Sequence, residues 1–160
     1  LGSWTASVSN ELYADSSQEL DFYGGIAQSF GPATVDLGYI AYTYPGSRDN
    51  TGTNFGEFYG KLNFSPENVP LSFDVAYYEL DTTSTTTGEY IEYGVSYSAP
   101  SDITLAVSYG DYDKYSQIKT ISAEKTFVGV DFTLAYVDTN YDAAGSADKE
   151  YLTLTVGKSF

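Results

Sequence analysis

Apolar side chains recur at every second position along this chain, as in VDLGY (35–39), FDVAY (73–77), LAVSY (105–109), FTLAY (132–136) and LTLTV (152–156). A period of two belongs to extended strands, whose side chains point alternately to opposite faces; a helix repeats at about 3.6. No helical spacing competes with it. Between the alternating runs stand Gly, Pro, Asp, Asn and Ser, the residues that turn a chain. Seventeen Tyr and nine Phe against one Trp and no Met fit the same conclusion, because aromatic and β-branched residues favour pleated surfaces. The chain is expected to be all-β.

Ten strands are expected, over residues 3–12, 17–30, 33–45, 54–65, 69–81, 88–99, 102–112, 115–128, 130–140 and 149–160. Their connections alternate in kind. FGPAT, SPENVP, SAPSD and FVGVD are short and tight, whereas ELYADSSQ, YPGSRDNTGTN, LDTTSTTTGE, GDYDKYS and DTNYDAAGSADK are longer, polar and rich in Gly, Ser, Asp and Thr. Short turns at one end and long loops at the other describe an up-and-down antiparallel transmembrane β-barrel of the outer-membrane kind. With 160 residues it is expected to be one barrel domain, 1–160. In a ten-strand barrel that closes on itself, residues 3–10 pair with 151–160, since an open edge in lipid leaves backbone groups unsatisfied.

A second repeat lies at the strand ends. Every even-numbered expected strand finishes on an aromatic: Phe30, Phe64, Tyr97, Phe127 and Phe160, one per hairpin. Five aromatics at one level are expected to form an interfacial girdle, with Tyr39, Tyr77, Tyr109 and Tyr136 in the opposite belt. The polar faces decide which side meets lipid. They carry Tyr23, Gly25, Ala27 and Ser29 on the second strand, Ser72, Asp74, Ala76 and Tyr78 on the fifth, and Thr104, Ala106, Ser108 and Gly110 on the seventh. A soluble exterior mixes Lys and Glu; small residues and tyrosines suit a wet, crowded lumen. The face of Leu37, Phe73, Val107 and Leu134 then points to lipid. Lys125 and Lys158 fall on that face two residues before an aromatic, where an ammonium reaches the headgroups. The strand over 115–128 fits least, with Gln117 and Lys119 on the apolar face and Ile118 inside.

Composition narrows the chemistry. The net charge of −15, with only seven Lys and Arg, argues against nucleic acid as a partner. Without Cys there is no disulfide or thiolate chemistry. Without His the commonest general base and metal ligand are missing, so neither an enzyme nor a cofactor is expected. The opening LGSWTASVSN lacks the character of a signal peptide and begins as a processed product does.

The carboxylates expected to face inward are Asp21, Asp36, Glu57, Asp74, Glu92, Glu124 and Asp131, against Lys61, with Tyr23, Tyr42 and Tyr78 narrowing the bore. Asp36, Asp74, Glu124 and Asp131 are expected near the short-turn end, close to Lys61. Two readings stay open. In one, an acidic lumen passes cations and small neutral solutes, as charged rings do in pores. In the other, the acids hydrogen-bond the tyrosines and Lys61 and fill a narrow barrel whose role is structural or adhesive. The loops SRDNTGTN and DTNYDAAGSAD hold hard oxygen ligands that Ca²⁺ takes, and could bridge to lipopolysaccharide, but neither has EF-hand spacing.

At ELDFYGG (19–25), VDLGYIAYTYPG (35–46), NFGEFYGKLNF (54–64) and the closing FTLAYVDTN…LTLTVGKSF, the sequence resembles the TorF-like family of bacterial outer-membrane proteins over essentially its whole length. The resemblance implies a bacterial outer-membrane location and contact with outer-membrane lipid and lipopolysaccharide. Family members generally carry one more hairpin upstream, which implies twelve strands if that hairpin is missing here. The final Phe160, with alternate apolar residues before it, is similar to the signal by which barrel-insertion machinery takes up such proteins.

Overall fold

The computed structural model describes residues 4–8, 18–45, 54–81, 88–142 and 147–158. They form β1 (Trp4–Val8), β2 (Gln18–Phe30), β3 (Ala33–Thr43), β4 (Phe55–Phe64), β5 (Leu71–Leu80), β6 (Glu89–Ala99), β7 (Ile103–Tyr112), β8 (Ser116–Phe127), β9 (Val130–Tyr141) and β10 (Lys149–Gly157), with no helix among them. Each strand is hydrogen-bonded to its successor in one up-and-down antiparallel sheet. The all-β, sequential topology is thus the one expected.

Two expectations are corrected. Nine strands, not ten, reach full length: β2 to β10 run from 9 to 13 residues, while β1 has five. Its register runs from Trp4↔Phe22 to Val8↔Gln18. The ladder expected between 3–10 and 151–160 is also missing. Among the described residues β1 and β10 are the two ends of the strand order, and the sheet is not closed.

The chain divides into two compact units, and the division cuts across strands. One comprises Leu1–Gln28, Val35–Lys61 and Tyr77–Glu89; the other comprises Ser29–Thr34, Leu62–Ala76 and Tyr90–Phe160. In the second unit the registers are regular. Val107 faces Val95 on β6 and Ile121 on β8, and Leu134 faces Ala123 and Leu154. Partners across an antiparallel ladder share a face, so each of these apolar rows is continuous from strand to strand.

Those rows are not a core. Leu37, Phe73, Val107 and Leu134 are 51, 42, 51 and 50 % exposed, and the apolar side chains buried among the described residues are Tyr44, Tyr59 and Leu80. The opposite face is the more covered one. On β7, Thr104, Ala106 and Ser108 are half-buried and Gly110 is buried, while the alternating Leu105, Val107 and Tyr109 are exposed. β10, at one end of the order, is exposed on both faces. This inverts the usual burial of a soluble domain.

The tight turns explain their own register. Val128 and Gly129 alone link β8 to β9, with φ of 53° and 70°, the left-handed pair that a two-residue type I′ hairpin needs. GDYDKYS, expected as one of the longer loops, is mostly strand. Gly110–Tyr112 end β7, Ser116 begins β8, and Asp113–Tyr115 make a three-residue turn with Lys114 at φ 63° and Tyr115 N–H donating to the Tyr112 carbonyl at 2.9 Å. Two of the other long loops are fastened at their bases by side chains. Asn54 Oδ1 accepts from Tyr44 N–H at 3.0 Å, and Asp148 Oδ1 accepts from Tyr141 N–H at 3.2 Å.

Candidate functional site

The small-and-tyrosine face of the first unit carries the densest polar cluster. Its centre is Tyr59, one of the few buried side chains. The ring lies where β2 and β3 present glycines: a Cβ on Gly25 would stand 2.7 Å from the Tyr59 hydroxyl, and one on Gly38 would run into the ring itself. Two glycines on adjacent strands thus leave a bed one aromatic ring wide. From it the Tyr59 hydroxyl donates to Asp36 Oδ1 at 3.4 Å. Lys61, two residues on and on the same face, places its Nζ 4.8 Å from the Tyr59 ring centre and 5.4 Å from that of Tyr78. The two rings are 6.2 Å apart and tilted. An ammonium over aromatic faces is held by their quadrupoles and keeps its charge.

Further along the same face Tyr42 donates to Glu57 Oε2 at 2.9 Å and stacks on Phe55 at 4.7 Å. Thr43 Oγ1 donates to the Leu20 carbonyl at 2.8 Å, tying β3 to β2 beside the half-buried Asp21. Tyr23 is exposed on β2.

The second unit repeats the theme with other donors. Asn63 Nδ2 donates to Asp74 Oδ1 at 2.7 Å, Thr133 to Glu124 at 2.9 Å, and Thr126 to Asp131 at 2.6 Å. Glu124↔Thr133 and Thr126↔Asp131 are directly opposed in the ladder, so strand register alone makes these bonds. Tyr90 donates to Glu92 Oε2, its ring occupying the space that a Cβ on Gly110 would need. A carboxylate that accepts from a neutral hydroxyl or amide retains its charge, so these acids leave the face negative.

The expectation that the acids pair with Lys61 is corrected. The ion pairs among the described residues are Lys114–Asp113 at 3.0 Å and Lys119–Asp138 at 3.7 Å. The second accounts for Lys119 on the apolar face of β8: it lies opposite Asp138 on the same face of β9. Lys61 contacts the rings of Tyr59 and Tyr78 instead.

Among the expected girdle residues Phe30, Phe64, Tyr97 and Phe127 all belong to the second unit and are exposed. Phe30 and Phe127 are the last strand residues before two-residue turns. Phe160 lies outside the described residues, as do 46–53 of the first oxygen-rich loop and 143–146 of the second. No three or more Asp or Glu among the described residues are grouped to hold a metal ion.

Three features escaped the sequence reading. The Tyr59 bed joins residues of three strands and shows only once register is known, although the glycines of YGG and DLGY marked the wall. The donors Thr126 and Thr133 follow from cross-strand opposition, and Asn63 reaches Asp74 from β4. Lys149, exposed on β10 on the same face as Tyr151, is a second cation there, 5.8 Å from the Tyr141 ring centre.

No curated protein and no solved structure matches the chain. A family model does: over residues 1–160 it matches Gcw_chp, described as a bacterial protein of unknown function, and the chain belongs to that family.

Proposed function

We propose that this chain is a bacterial outer-membrane β-barrel acting as a small, passive, porin-like channel for cations and small neutral solutes. The exposure pattern carries the reading. Side chains such as Leu37, Phe73, Val107 and Leu134 alternate with charged, hydroxylated and small residues, and the apolar set is the exposed one. Lipid is the solvent in which that arrangement is favourable. Strands of 9 to 13 residues agree with the roughly 9–11 that a tilted strand needs to cross the hydrocarbon. The resemblance to the TorF-like family supports the same location.

In lipid both end strands must be paired, so closure brings to β1 and β10 ladder partners that the described pairings do not include. The negative face, with Asp36, Asp74, Glu92, Glu124 and Asp131 bonded to neutral donors, supplies the preference for cations. One observation favours the second reading, a filled barrel with a structural or surface-adhesive role: Tyr59 is buried rather than standing free.

Recording from purified protein in planar bilayers separates the two. The channel reading expects steady conductance with a reversal potential that favours K⁺ over Cl⁻, and a smaller preference in Asp36→Asn and Glu124→Gln. Silence over a wide voltage range rejects the channel in favour of the filled barrel. Anion preference removes the role given to the acids.

A further inference from the structure

Lys61 stands apart from the other charged side chains of its face. It follows Tyr59 on β4, is exposed, and lies over two tyrosine rings. Its ring neighbour Tyr59 is immobilised by the glycine bed and bonded to Asp36. One ring thus carries both charges as neighbours, the ammonium over its face and the Asp36 carboxylate at its hydroxyl, and the two are not paired as a salt bridge. The acids around it, Glu57 included, are engaged by hydroxyl donors.

We propose that Lys61, held over Tyr59 and Tyr78, lowers the preference of this face for divalent over monovalent cations. The inference rests on the channel reading and names how that channel sorts cations by charge. The physical reason is the scaling of Coulomb energy with charge: Lys61 repels a divalent ion twice as strongly as K⁺, which offsets part of the attraction of the acids, itself doubled for a divalent ion. The aromatic rings matter as much as the ammonium. They hold Nζ on a rigid platform, where a free lysine would swing aside or pair with an acid.

The experiment measures reversal potentials of the purified protein in planar bilayers, with KCl on one side and CaCl₂ on the other. Wild type, Lys61→Gln, Lys61→Arg and Tyr78→Leu are compared. Lys61→Gln is expected to raise Ca²⁺ permeability relative to K⁺ by roughly twofold to threefold, the size expected for one extra charge passing about 8 Å from a fixed charge in water. Lys61→Arg retains the parent ratio. Tyr78→Leu shifts the ratio in the direction of Lys61→Gln, because half the platform is gone. Heat-modified gel mobility equal to the parent confirms that each variant is folded. A conducting parent whose Ca²⁺/K⁺ ratio is unchanged in Lys61→Gln overturns this inference and leaves the channel reading standing. A parent that does not conduct overturns both.

Discussion

Val128 is the residue whose backbone is least suited to its side chain. It has φ of 53° in a two-residue loop, and it is 81 % exposed, so no packing repays the conformation. A β-branched residue is disfavoured in the left-handed region, which Asn tolerates by bonding locally. Val128→Asn is expected to stabilise the β8–β9 hairpin by about 1 kcal/mol, read as a higher unfolding temperature in detergent micelles. No change, or a loss, means that Val128 makes an apolar contact at this turn in the membrane. The residue scale is also where the sequence was hardest to read. Gly25, Gly38 and Tyr59 form one feature, yet they are scattered over three strands, and nothing local in FYGG or DLGY says which ring will cover them. Lys61 likewise looks like a partner for acids until the side chains around it are known to be aromatic.

Among the elements, β7 offers the sharpest test of which face meets lipid. Val107 lies mid-strand, opposite Val95 and Ile121 and half exposed; Ser108 is next to it on the other face. On a water-facing surface Val107→Lys is harmless. At the bilayer midplane it costs roughly 2–4 kcal/mol. Val107→Lys is expected to lower stability in lipid vesicles by that amount, whereas Ser108→Lys leaves it nearly unchanged. Equal tolerance of both sends the membrane assignment down. The alternation that places these residues was legible because strand geometry repeats every two residues whatever the fold around it. Where the reading went astray, the residues were ambiguous. Gly, Asp and Lys in GDYDKYS are loop formers by type, yet Gly110 and Asp111 keep their ladder positions opposite Ile118 and Gln117.

At the scale of the whole molecule, the chain is held together by hydrogen-bonded ladders more than by an oily interior, since so few apolar side chains are buried. Neighbours in the sheet are neighbours in the sequence throughout. That ordering has a consequence in time. Every pairing is between consecutive strands, so little chain entropy is lost before pairing begins, and the order of assembly follows the quality of the hairpins. The β8–β9 pair has a two-residue turn and an unbroken ladder from Ser116↔Tyr141 to Phe127↔Val130, whereas nine residues of sequence, 9–17, separate β1 from β2. Formation should therefore start near the carboxyl-terminal half and add strands towards the amino-terminal end. Pulsed hydrogen–deuterium exchange during refolding into micelles is expected to show amides of β8 and β9 protected first and those of β1 last; the reverse order, or simultaneous protection of all strands, contradicts a hairpin-seeded assembly.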